Sequence, residues 1–227
     1  MREKITKVKD FSIKNIKWII LFVLLLIILA IVEDVFEKEI MKLDIMGYGL
    51  ISSLINPSVT PVAIVITNLG GAIVVGALTV ISFILIKNKK ISFTILLNVV
   101  IATILNVLLK NIIQRPRPDD FRLISETGYS FPSGHSMVSM AFYGFLIYLI
   151  HKYFKNKKLK IVLITFLSIL IILIGISRIY LGVHYTSDVI AGFMISVCYL
   201  IVYTSLVKKY IIEREDENDS ENKEINK

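Results

Sequence analysis

Residues 62–86 read VAIVITNLGGAIVVGALTVISFILI, a run of 25 residues without one charged side chain. A helix rises about 1.5 Å per residue, so a run of this length can cross the roughly 30 Å hydrocarbon core of a bilayer. Two more runs share the property, ISFTILLNVVIATILNVLL at 91–109 and VIAGFMISVCYLIVYTSLV at 189–207. With their flanks, and with three less clean stretches, they give six candidate spans at about 18–36, 61–86, 91–113, 134–151, 160–178 and 187–207. The first holds only 15 uncharged residues, Trp18 to Val32, behind a basic lead. No small-residue cleavage pattern follows it, so it reads as an uncleaved anchor. The fourth and fifth are short, and flanking Lys and Tyr side chains can snorkel to extend them. The expectation is an all-α polytopic membrane protein with six transmembrane helices, one unit over residues 1–210.

Composition agrees. The chain has 227 residues, 55% of them hydrophobic, with a mean hydropathy of +0.73, an unusual value for a soluble domain. The net charge of +8 resembles a nucleic-acid signal until its distribution is followed. Of the 26 basic residues, 19 fall in 1–17, 87–90, 151–160 and 208–227. The other seven are Lys38, Lys42, Lys110, Arg115, Arg117, Arg122 and Arg178. The positive-inside rule then puts both termini in the cytoplasm and those seven on the outer side. No nucleic-acid partner is implied. The single cysteine, Cys198, permits no internal disulfide, and no Cys/His metal cluster is present.

Two segments flank this frame. Residues 33–60 carry apolar side chains at Phe36, Ile40, Leu43, Leu50 and Leu54, gaps that suggest an amphipathic helix on the outer bilayer surface, interrupted near Gly47 and Gly49. It serves as a connector or helps to admit lipid. The tail at 211–227 is charged and poor in apolar residues, and disorder is expected there.

Five of the outer cations cluster in KNIIQRPRPDDFR (110–122) and at Arg178, against the statistical rule. A charge at the bilayer centre costs roughly 2.5–3.5 kcal/mol on insertion scales, so such groups mark a site or a boundary. FPSGHS at 131–136 and SRIYLGVHYTSD at 177–188 fall on the same side. Together these stretches suit phosphoryl transfer. Lys110, Arg117 and Arg178 can hold phosphate oxygens and offset growing charge. Ser133 adds a hydroxyl, and Gly134 allows close backbone approach at a helix N-terminus. His184 and Asp188 are four apart, on one face if helical, so the carboxylate can orient the imidazole as a nucleophile. His135 is the available acid for the leaving oxygen. His151, among cytoplasmic lysines, reads as interfacial. Asp119 and Asp120 read as solvent-facing rather than as a metal site. Thr67, Asn68, Gly70 and Gly71 suit close helix packing. Asn106 steadies Lys110 or bonds a neighbouring helix, and Arg115 has a supporting or surface role.

The order K-x6-RP, PSGH, SR-x5-H-x3-D, here Lys110–Pro118, Pro132–His135 and Ser177–Asp188, resembles the type-2 phosphatidic acid phosphatase family, whose site is shared with vanadium haloperoxidases. The resemblance implies a metal-independent phosphatase, without a cofactor, acting on lipid phosphates or diphosphates at the extracytoplasmic face. It implies His184 as nucleophile, His135 as acid and Asp188 as orienter, with Lys110, Arg117, Ser133, Gly134 and Arg178 on the phosphate. Undecaprenyl diphosphate and phosphatidylglycerol phosphate are the favoured substrates. The alternatives are a lipid phosphotransferase using the same intermediate and a non-catalytic lipid carrier. The sequence says nothing of oligomeric state.

Overall fold

The computed structural model describes residues 2–37, 41–119 and 121–212, with side chains from residue 15 onward. Among the described residues there is no strand. Helix α1 spans Arg2–Phe36, α2 Lys42–Ser52, α3 Thr60–Leu69, α4 Ala72–Leu85, α5 Lys89–Ile113, α6 Gly134–Tyr153, α7 Lys157–Tyr180 and α8 Thr186–Val207. A π-helical turn, Lys208–Ile212, follows α8.

Three of the long helices begin at a side-chain cap. Asn88 accepts from the N–H groups of Lys90 and Ile91 ahead of α5, Asn156 from Leu159 ahead of α7, and Ser133 from Ser136 ahead of α6. Each pairs donors that the first helical turn leaves without intrahelical partners. Gln114, in the left-handed region with φ 53°, ends α5 and turns the chain into the loop that carries Arg115 and Arg117.

Among the described residues four helical stretches are long and apolar enough to cross a bilayer: Asn15–Phe36, Lys89–Ile113, Lys157–Tyr180 and Thr186–Ile211. Helices α3 and α4 meet that requirement only as a pair, bent by 44° at Gly70 and Gly71, the geometry of a broken span or a re-entrant loop. The expected span at 134–151 falls on α6. Its 20 residues give about 30 Å, but it is less apolar than the four helices above. It is the central helix, packed against α4, α5, α7 and α8. A helix surrounded by protein can carry Ser136, Ser139 and Tyr143 inward, because its neighbours supply partners that lipid cannot. Phe142, Phe145 and Leu149 of α6 form the main core with Ile171 and Ile174 of α7, Ile95 of α5 and Tyr203 of α8. At Gly192 of α8 an added Cβ would stand 3.0 Å from the Ser133 carbonyl, so α6 and α8 touch backbone to backbone where the site begins. Outward, Ile73 is 87% exposed and Ile84 73%, the apolar coat of a multi-pass membrane protein.

The connector also differs from expectation. Helix α2 runs unbroken through Gly47 and Gly49. Gly47 is where α2 presses on the start of α8, since a Cβ there would lie 2.2 Å from Thr186 Oγ1. Its outward side chains, Leu43, Ile45, Met46 and Leu50, are apolar, and its buried one is Asp44. Residues 38–40 of the connector, and the charged tail from residue 213 on, lie outside the described residues.

Candidate active site

The three polar stretches converge at one end of the bundle, where α5 and α7 end and α6 and α8 begin. Asp188 lies in the first turn of α8, and its Oδ2 accepts the Tyr185 N–H at 2.9 Å, so the carboxylate is fixed by the helix start it caps. The same oxygen faces His184 Nδ1 at 3.4 Å and accepts the Ser130 hydroxyl, whose oxygen lies 3.3 Å from Nδ1. On the other side of the ring, His184 Nε2 is 3.1 Å from Arg117 Nη1. A guanidinium can only donate, so Nε2 holds a lone pair and the proton sits on Nδ1. That is the tautomer a nitrogen nucleophile requires. Asp188 Oδ1 accepts from Arg115 Nη1 at 2.7 Å, and Arg115 Nη2 donates to Asp44 Oδ2 at 2.8 Å. Arg115 is therefore buried and supporting, and its surface role is excluded.

The cations surround this unit. Arg117 donates to the carbonyls of Val183, Gly128 and Thr127 at 2.9, 3.0 and 3.0 Å, which leaves Nη1 pointed at the imidazole. Arg178, 1% exposed, donates to Thr67 Oγ1 at 2.8 Å and to the Glu126 carboxylate, while its Nε is buried with no partner among the described residues. Thr67 therefore does more than pack helices. Lys110 donates to the Tyr129 carbonyl and reaches the Ser130 carbonyl at 3.5 Å.

The PSGH turn forms the remaining wall. Ser133 Oγ accepts from the Ser136 N–H at 3.4 Å and the Ser136 hydroxyl at 2.9 Å, leaving its own proton to give. Its N–H donates to the Asp188 carbonyl at 3.1 Å, tying this turn to α8. A Cβ on Gly134 would stand 3.1 Å from Asn106 Oδ1. Asn106 donates to the Pro132 carbonyl at 3.2 Å, so it braces the start of α6 rather than the Lys110 ammonium. His135 lies within electrostatic reach of Arg178, Glu126, His184 and Arg117. The chain thus brings together all eight expected residues: Lys110, Arg117, Ser133, Gly134, His135, Arg178, His184 and Asp188. His151 lies apart at the far end of α6.

Burial holds the His184 pKa down to about 4, only partly opposed by its bond to Asp188 and that group's charge, so the ring is neutral at pH 7. Burial by itself would raise Glu126, but the Arg178 bond and charge, helped by Arg117, bring it below the usual carboxylate range. A cavity of about 410 Å³ between α2, the 118–121 loop and the α7–α8 turn reaches His184. A second, about 250 Å³ and lined by Val75, Gly76, Val99 and Thr103, reaches His135. Among the described residues no group of three or more His, Cys, Asp or Glu side chains is gathered as a metal ion would need.

Sequence reasoning missed Asp44, Glu126, Ser130 and Ser187. Ser130 stands three residues before Ser133, a weak local cue. Glu126 and Asp44 have no spacing relation to the motifs. The one signal for Asp44 was a carboxylate inside an otherwise apolar helix face.

Comparisons with known proteins identify the family. Residues 91–212 match the family described as the PAP2 superfamily, a range that contains every site residue expected from the sequence. Phosphatidylglycerophosphatase B of Bacillus subtilis (strain 168) is 38% identical over 91 residues, covering 40% of this chain and 45% of that protein. The chain therefore aligns with less than half the length of that curated relative. The crystal structure of a transmembrane PAP2-type phosphatidylglycerolphosphate phosphatase from Bacillus subtilis superposes with a TM-score of 0.76 at 29% identity, over 84% of this chain and 96% of that one. Aquifex aeolicus LpxE superposes with a TM-score of 0.60 at 25% identity, over 73% of this chain and 96% of that one.

Proposed function

We propose a function that starts from one fact: this chain belongs to the PAP2 superfamily. It is an integral membrane phosphatase that removes the terminal phosphate of a lipid phosphate or diphosphate without a metal ion. Its termini lie in the cytoplasm and its site at the extracytoplasmic face, as the asymmetry of basic residues supports. The observation that carries the reading is the state of His184, whose Nδ1 proton is engaged by Asp188 and Ser130 and whose Nε2 lone pair faces Arg117.

The reaction runs in two displacements. A phosphate entering the site takes up Arg117, Arg178 and Lys110, and Arg117 Nη1 leaves the imidazole for a phosphate oxygen. His184 Nε2 then attacks phosphorus as the bond to the lipid oxygen breaks, and protonated His135 gives its proton to that oxygen. The Ser133 hydroxyl and the Gly134 N–H steady the equatorial oxygens. Asp188 stabilises the phosphoimidazolium through Nδ1–H. In the second half His135 takes a proton from water, the water oxygen bonds to phosphorus, the P–N bond breaks, and phosphate leaves. Of the two favoured substrates, undecaprenyl diphosphate and phosphatidylglycerol phosphate, the names of the Bacillus subtilis relatives support the second.

The test is purified protein in detergent with EDTA, given both lipids. Phosphate release from phosphatidylglycerol phosphate is expected, along with an acid-labile, base-stable phosphoenzyme from the terminally ³²P-labelled lipid. Label that persists in His184→Ala would refute the nucleophile. Transfer of label to an alcohol acceptor instead of water would mark a phosphotransferase.

A further inference from the structure

Asp44 is 3% exposed, on a helix whose neighbouring side chains Ile45, Met46 and Leu50 are 62%, 67% and 71% exposed. A carboxylate turned inward from such a helix is unfavourable unless it is paired. Both its oxygens are engaged, Oδ2 by Arg115 Nη2 and Oδ1 by the Ser187 N–H, each at 2.8 Å. Arg115 uses its other terminal nitrogen on Asp188 Oδ1 and on Ser187 Oγ, each at 2.7 Å, and its guanidinium carbon lies 4.0 Å from the centre of the Tyr185 ring. One buried cation thus stands between two buried anions. One of those anions belongs to the His184 pair, and the other to a helix far away in sequence. Gly47, one turn along α2, removes the side chain that would hold α2 off α8.

We propose that Asp44 and Arg115 are positioning residues for phosphoryl transfer, holding Asp188, and through it His184, in the geometry of attack. This rests on the reading of His184 as nucleophile and Asp188 as its partner. As Nε2 takes the phosphoryl group, the imidazole, still protonated at Nδ1, gains positive charge that Asp188 must stabilise. A guanidinium paired with Asp188 alone would cancel much of that carboxylate's charge. Shared with Asp44, the same guanidinium pins Oδ1 in place while leaving the pair of carboxylates with one net negative charge. That charge is available to Oδ2, the oxygen facing the ring. Asp44 therefore acts on the reaction without touching the substrate phosphate.

The test uses the full chain in detergent with phosphatidylglycerol phosphate. Asp44→Asn keeps the shape and one acceptor oxygen but removes the charge. It should lower kcat by roughly 10–100-fold, the loss seen when outer partners that orient a histidine are removed, with KM moving less than about threefold. In an Asp188→Asn background the same substitution should cost nothing further, because its effect passes through that carboxylate. Wild-type kcat with a lowered melting temperature would overturn the proposal and leave α2 a structural brace. An equal loss in the Asp188→Asn background would overturn it too. Should Asp44→Asn fail to fold, Asp44→Asn combined with Arg115→Gln removes both charges together and is read by the same split between kcat and KM. Turnover surviving in His184→Ala would instead sink the underlying reading, whatever Asp44 does.

Discussion

The two halves of the site are built differently. Beside the proposed nucleophile, Asp188 is held by the Tyr185 N–H, Ser130 and Arg115, and every one of these groups sits on or against the start of α8. In the proposed phosphate grip, Arg117 and Lys110 are held by carbonyls of the 127–130 loop, and Arg178 by Thr67 and by Glu126, a residue 27% exposed at its side chain. The first set is buried and internally complete. The second consists of cations whose partners water or phosphate could replace. A nucleophile must be in place before substrate arrives, since its orientation enters the barrier directly. A phosphate grip must exchange partners, because a cation locked to protein has nothing to offer the substrate. Arg178 illustrates this, with a buried Nε that no group among the described residues satisfies and a Glu126 carboxylate where a phosphate oxygen would bind.

The contrast can be broken at several points, beginning with the largest effect. His184→Ala should lower phosphate release at least about 10⁴-fold, as loss of a triad member does, and KM should change little. A KM change as large as the kcat change would dissolve the division into two halves. Arg178→Lys keeps the charge but loses the fork. It should reduce kcat/KM roughly 10²–10³-fold, as removal of a donor to a transition-state oxygen does, with both parameters moving. Ser130→Ala removes one hydrogen bond from the nucleophile side and should lower kcat about tenfold at constant KM. An effect on KM alone would move Ser130 to the grip.

Smaller effects sharpen the comparison. Glu126→Gln frees Arg178 from an anion and should tighten inhibition by inorganic phosphate by about two- to fivefold, the range set by a partly exposed ion pair. Weaker inhibition would mean that Glu126 orients the arginine rather than occupying it. A further effect concerns stability rather than turnover. His184 has a folded pKa of about 4 against an ordinary 6.5, so the unfolded chain takes up its proton first as pH falls. That contribution is present above pH 6.5 and is lost progressively towards pH 4. The melting temperature of the wild type should therefore fall between pH 6.5 and 5 more steeply than that of His184→Gln. Parallel slopes would place the ring in a wetter environment than the structure gives it.

Legibility in the sequence followed the range of the interaction. The spans at 91–113 and 187–207 were readable because lipid imposes its demand residue by residue, without reference to the rest of the chain. The bend at Gly70 and Gly71 was less so, since an uncharged run reads the same whether straight or broken. Helix α6 suits a span by length and position but is less apolar than the others, because its serines and Tyr143 face protein partners. Within the site, His184 and Asp188 were legible as an i, i+4 pair. Arg115 was ambiguous because its role depends on Asp44, which approaches from another helix.

What the chain alone determined is the list of chemical groups and the end of the bundle where they gather. Charge patterning and bilayer thickness act through short stretches, and the three polar motifs carry their own spacing. Tertiary structure decided which of those groups is fixed and which can be exchanged. It brought Asp44 to Arg115, Ser130 to Asp188, Thr67 and Glu126 to Arg178, and Arg117 to the open nitrogen of His184. These contacts join residues far apart in sequence, and they form only where the packing of α2 and α3 against α7 and α8 brings those residues together.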